Sequence, residues 1–367
     1  MKVKVIGIIF LIIIFIVIGS YFVRDMFSDY GNLLELQNQR TLVSPGTLQH
    51  FASIDRGLII AYRRTGQAVI SHFNNSGVKQ WEKILPSNRQ LIDTSYNYIM
   101  VGEEHSREIN IFTTDGSETV SWKAVGEPIF CSVSNDARNF VVSETKLGQT
   151  DWEILLELRD HEGKELFSES YKNQEVVNVK WSPLGVVVLA FSFDRDEPGQ
   201  YLYFYDNYGR ILYQRRFEEQ IRDFDISPSG NHLLWASKDE IGLYNILLDS
   251  ISTFDINNVV GAGFSSENRI FYINNTVSYL PPEKQVTLTE ISFSGQRIGR
   301  LRYKGELKNY HMLRDNTLLV ATDSGVYMSK NLVSLSYFNT SNIERAYVDS
   351  DYIIYVLKPD NTIEWYK

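Results

Sequence analysis

Hydrophobic residues in this chain fall in short strand-length runs broken by tight polar turns, and the same run–turn–run unit keeps returning. Its clearest copies read AVISHFNNSGVKQWEKIL, INIFTTDGSETVSWKAV, EILLELRDHEGKELFSES and YLYFYDNYGRILYQRRF. Between these hairpins lie continuous apolar runs such as GVVVLAFSF, NFVVSE, HLLWAS and TLLVAT, the pattern of strands covered on both faces. A four-strand unit can be laid down repeatedly: an inner strand A, a turn, strand B, a connection, then a C–D hairpin. Inner strands begin near His50, Leu91, Ile129, Val177, Arg222, Val259, Lys308 and Glu344, which gives eight units. Recurrence at roughly 36–49 residues is the signature of a blade-by-blade ring, an all-β propeller.

The A–B turns are short and polar, as in WSPLG at 181–185 and ISPSG at 226–230, where Pro and Gly suit tight turns. The eighth unit, AYVDSDYIIYVLKPDNTIEWYK, supplies three strands and stops. Residues 39–45 can provide its fourth strand, joining the two ends of the chain and removing an exposed sheet edge. A seven-bladed ring with a ragged end is the alternative if those residues are linker.

The first residues follow a different pattern. After MKVK, residues 5–23 (VIGIIFLIIIFIVIGSYFV) contain no charge. As a helix they reach about 28 Å, the hydrocarbon thickness of a bilayer. Lys2 and Lys4 precede the run, whereas Arg24 is offset by Asp25, so the positive-inside bias keeps the N-terminus in the cytoplasm and exports the body. A cleaved signal sequence is the rival reading and exports the body equally. The division expected is an anchor or signal at 1–23, a linker at 24–37 and the propeller at 38–367.

Net charge is −9; the first 24 residues carry +3, leaving −12 on the rest. An acidic body repels phosphate backbones, so nucleic acid is not an expected partner. Cys131 is the single cysteine, set in the apolar stretch PIFCSV, so no internal disulfide forms and a buried small side chain is expected.

The SPxG turns resemble the WD-repeat-like units of TolB-type propellers. The hairpins with Gly77 and Trp81 are similar to the pyrroloquinoline-quinone-like repeats of BamB-type propellers. One apolar N-terminal segment followed by one propeller also resembles membrane-anchored bacterial proteins of this architecture. The resemblance covers residues 38–367 and implies fold more than function.

Catalysis finds little footing. Quinone enzymes of related repeat type lead one to expect an acid cluster holding a metal and often a vicinal cysteine pair, and this chain has one cysteine. No G-x-S-x-G elbow occurs, and the six histidines show no i, i+2 or i, i+4 pairing. GAGFSS at 261–266 sits at the junction of an inner strand and its turn, with no following helix to bind phosphate, and reads as close backbone packing. No catalytic, cofactor-binding or metal-binding residues are assigned, and no cofactor is implied.

Connection length points elsewhere. In a four-stranded antiparallel blade, A–B and C–D turns emerge at one end and B–C and D–A connections at the other. Long connections collect in the B–C class, at 102–108, 144–153, 194–200 and 274–286. Long loops on a rigid scaffold are where binding residues concentrate. Theirs are acidic with isolated aromatics: Glu103, Glu104, Asp151, Glu153, Asp194, Asp196, Glu197 and Glu283, beside Trp152 and Tyr279. The expected function is a membrane-tethered extracytoplasmic scaffold that binds a protein partner on this face, with Trp152 and Tyr279 as anchors. The alternative is a sensor that binds a small ligand or cation at the channel mouth.

Overall fold

The computed structural model describes residues 40–366 apart from 44–45, 65, 86–89, 104–105, 147–151, 194–197, 278–282, 314, 332 and 339. Eight four-stranded antiparallel sheets follow one another, spanning 47–85, 90–123, 127–172, 174–217, 223–255, 259–304, 307–338 and 345–366. They are blades 1 to 8. Blade 8 takes its outer strand from Arg40–Val43, which pairs antiparallel with Thr362–Tyr366 in the register Arg40↔Trp365 to Val43↔Thr362. The ring therefore has eight blades and closes by joining its two chain ends. In this register the chain enters blade 8 at the tight-turn end. Among the described residues no helix is long and apolar enough to cross a membrane; residues 5–23 lie outside them.

Each B strand is sandwiched, and its sequence shows why. Gly57–Arg64 is buried at its first six positions, and Thr317–Thr322 throughout. Successive side chains of such a strand meet the two neighbouring blades, so apolar residues are needed on both faces. Buried clusters accordingly straddle blade pairs. One joins Val142, Ile154 and Leu156 of blade 3 to Val186, Val188 and Tyr203 of blade 4.

The C–D turns repeat one backbone device. Gly77, Gly116, Gly163, Gly209 and Gly295 sit at positive φ, and each N–H donates to the carbonyl three residues earlier. A register shift follows at each turn, so the second strand gains twist. Gly209 shows the packing consequence: a Cβ there would come within 2.5 Å of Phe167 in the preceding blade. Glycine is required twice, for φ and for contact.

Candidate functional site

Inner strands present free backbone edges to the central channel, and polar side chains from the preceding blade satisfy several of them. Asp93 of blade 2 accepts the Val133 N–H at 2.8 Å, and Asp223 and Asp225 of blade 5 accept those of Ala262 and Phe264 at 3.0 and 2.9 Å. Asn309 of blade 7 exchanges two hydrogen bonds with the Ala346 backbone, at 2.8 and 2.7 Å. Lys180 of blade 4 reaches Asp223 and Asp225 at 3.5 and 3.6 Å. Although burial works against its charge, the two carboxylates hold the Lys180 ammonium above its ordinary pKa, while burial pushes Asp223 up.

Tyr310 of blade 7 lies along this edge and donates its hydroxyl to Asp223 and to the Ala262 carbonyl. It can do so because residue 261 is glycine; a Cβ there would stand 2.5 Å from the Tyr310 ring. GAGFSS is thus a close-packing strand. Its neighbours at the channel are ring-closing hydrogen bonds, and among the described residues no group of three His, Cys, Asp or Glu is placed to hold a metal.

His50 and His311 are half-buried on inner strands, and loss of hydration lowers both to about 4; Arg345 adds to the effect at His50. Cys131 is buried as expected, and burial first, then the Asp93 charge, raises its thiol pKa. At the tight-turn mouth of the channel a cavity of about 210 Å³ is lined by polar groups of Ser53, Thr94, Ser95, Tyr96, Asn135 and His311.

The long-connection face is built differently. Strands run further into two of the long connections than the sequence pattern indicates, with pairing out to Lys146↔Trp152 and Val277↔Lys284. Trp152 therefore begins a strand. Its indole N–H donates to the Gln174 carbonyl at 3.1 Å, and its ring meets Phe193 edge-on at 5.6 Å. Phe193 in turn packs edge-on against Phe191 at 4.7 Å and remains 47% exposed. Asn173, at positive φ, ties the knot: its N–H donates to the Trp152 carbonyl, and its carbonyl accepts from the Phe193 N–H. Trp152 is consequently half-buried and positions Phe193, the ring that projects.

The other candidates divide. Glu153 is half-buried beside the knot. Glu103 is a correction: it is 2% exposed and accepts the Ser106 hydroxyl at 2.8 Å, so it faces inward rather than toward a partner. Glu283 pairs with Lys304 at 3.2 Å. Glu104, Asp151, Asp194, Asp196, Glu197 and Tyr279 lie outside the described residues. Phe193, absent from the candidates, directly precedes the acidic run 194–197; its position at a strand end was the available signal. Between blades 2 and 3, on the same face, lies a concavity of about 740 Å³ lined by Arg107, Val125, Glu127, Pro128, Glu144 and Thr145. The tight-turn face is not bare either: Tyr208, Leu247 and Leu248 in its turns are each more than 70% exposed.

Comparison with known structures fits this architecture. BamB from Moraxella catarrhalis superposes with a TM-score of 0.54 at 13% identity, covering 90% of this chain and 100% of that one. The Dos1 propeller gives 0.58 at 12% identity over 90% and 95% of the two chains. A eukaryotic initiation factor structure gives 0.51 at 12% identity over 90% and 85%. In fold the chain resembles BamB and the Dos1 propeller. No family model and no curated protein matches it.

Proposed function

We propose that this protein is a membrane-tethered, extracytoplasmic propeller that acts as a non-catalytic scaffold, binding a protein partner on its long-connection face. The propeller fold supports an interaction module in general terms. The observation that carries this particular face is the Trp152–Phe193–Phe191 knot, which holds an exposed aromatic ring at a strand end directly before the acidic run 194–197. Rigid aromatic anchors next to charged rims are the usual energetic centres of protein interfaces. Chain entry at the tight-turn end supports an orientation with Tyr208, Leu247 and Leu248 toward the bilayer and Phe193 away from it.

The test is site-specific photocrosslinking in cells carrying the full chain, with the probe replacing Phe193 or, as the tight-turn control, the exposed His161. A discrete adduct from position 193 and none from 161 is expected. The same adducts from both positions, or none from 193, would remove the main support. The alternative of a small-ligand sensor draws on the polar cavity beside His311; because among the described residues no carboxylate lines it, an uncharged or anionic ligand suits it better than a cation.

A further inference from the structure

The interface between blades 5 and 6 is mismatched. The four strands of blade 5 are 4, 5, 6 and 6 residues long, and those of blade 6 are 8, 9, 9 and 8. Blade 5 covers only part of the face it meets. On the covered part, Ile270 and Ile291 of blade 6 pack with Leu234, Ile241 and Leu243 of blade 5. Further along the same face the pattern turns polar: Ile270 and Tyr272 are followed by Asn274 and Thr276, and Ile291 is preceded by Thr289, Thr287 and Gln285.

The result is an open cleft of about 450 Å³ in which every lining residue except Ile256 and Asn257 belongs to blade 6.

Three arginines of the outer strand converge on this cleft. Arg302 lies opposite Thr287 and Arg300 opposite Thr289 in the ladder, so both share the polar face. Arg297 has the opposite parity, but the register shift at Glu290/Ile291 places it opposite Ile291 and restores it to that face. Among the described residues no Asp or Glu lines the cleft, and neither Arg297 nor Arg302 has a carboxylate partner. In a chain of net charge −9 this is a local reversal of sign. The floor supplies hydroxyls and amides held in place: Thr276 and Thr287 hydroxyls are 3.0 Å apart, and Asn274 donates to the Asn257 carbonyl at 2.6 Å.

The geometry points to a binding site for a phosphorylated polyol of about sugar-phosphate size. The Arg297 and Arg302 guanidinium groups receive the phosphate, because planar forked donors match its oxygens. The Thr, Asn and Gln groups of the floor receive ligand hydroxyls, which an apolar pocket would leave unpaired. The cleft lies between blades 5 and 6 and the Phe193 knot between blades 3 and 4, so crosslinking at position 193 and binding here are read at different residues.

Calorimetric titration of the full chain in detergent, with glucose 6-phosphate, inorganic phosphate, glucose and dextran phosphate, tests the assignment. Glucose 6-phosphate is expected to bind more tightly than either phosphate or glucose. Arg302→Ala should weaken it on the order of 10-fold, by loss of one charge-assisted contact, whereas Arg210→Ala on a distant turn should not. Binding of glucose 6-phosphate alone assigns a free metabolite as the source; binding of dextran phosphate that is lost in Arg302→Ala assigns a phosphorylated polymer. Absence of binding by both phosphorylated sugars, glucose or phosphate matching glucose 6-phosphate, or equal weakening by Arg210→Ala would overturn the proposal. Thr287→Val, nearly isosteric, should weaken glucose 6-phosphate but not inorganic phosphate, and an unchanged melting temperature separates that effect from misfolding.

Discussion

Single atoms decide the channel. At Gly261 a methyl group would meet the Tyr310 ring at 2.5 Å, and the backbone cannot retreat because Ala262 beside it is bonded to Asp223. Gly261→Ala should therefore cost about 1–3 kcal/mol, the usual range for overpacking a filled site. In a Tyr310→Ala background the same change should cost distinctly less; equal cost in both backgrounds would show that the ring is not the obstacle. Lys180→Met leaves Asp223 and Asp225 facing each other without their cation and should lose about 3 kcal/mol in denaturant titration. None of this was legible beforehand beyond the expectation of close packing at 261–266, because contacts between residues 180, 223 and 310 depend on which blades adjoin. The candidate face was legible only as a set of long connections. Its carboxylates attract notice in a sequence, whereas Phe193 matters because Trp152 and Asn173, some forty and twenty residues away, hold it outward.

The strand units themselves were easy to read, since sandwiched strands need apolar runs and five of the C–D turns use a glycine at positive φ, and both needs are local. Blade count was harder, because the deciding strand, Arg40–Val43, pairs with residues more than three hundred positions away. A chain beginning at Gly46 would leave Thr362–Tyr366 with an unpaired edge. It should melt at a lower temperature than the full chain and self-associate, as measured by size-exclusion chromatography with light scattering. A monomer of undiminished stability would show that closure contributes little. Gly209→Ala should also destabilise, since it combines φ +80 with a 2.5 Å approach to Phe167. The cleft between blades 5 and 6 was hidden for a related reason: strand lengths are read one blade at a time, and a cleft is a difference between two.

For the whole molecule, buried titratable groups set opposing dependences of stability on pH. Burial raises Asp93 and Asp349 to about 6, so the folded state binds protons that the unfolded state has released, and stability falls as pH rises from about 4 to 6. Asp223 is raised in the same direction. Burial lowers His50 and His311 to about 4, so here the unfolded state binds the extra protons and stability rises across about 4 to 6.5. Carboxylates held low by partners, such as Asp315 beside Lys330, lose their contribution only in more acidic solution. The two sets offset each other within one window, so melting temperature should vary little there. Replacing His50 and His311 by Asn removes the rising component, and the variant should melt progressively lower as pH goes from about 4 to 6. Asp93→Asn with Asp349→Asn should tilt the profile the other way. Both variants carry structural costs at every pH, so the slope rather than the absolute melting temperature is the readout. Parallel profiles for all three proteins would mean that these groups titrate alike in folded and unfolded chains, contrary to their burial on the inner strands and turns that close the ring.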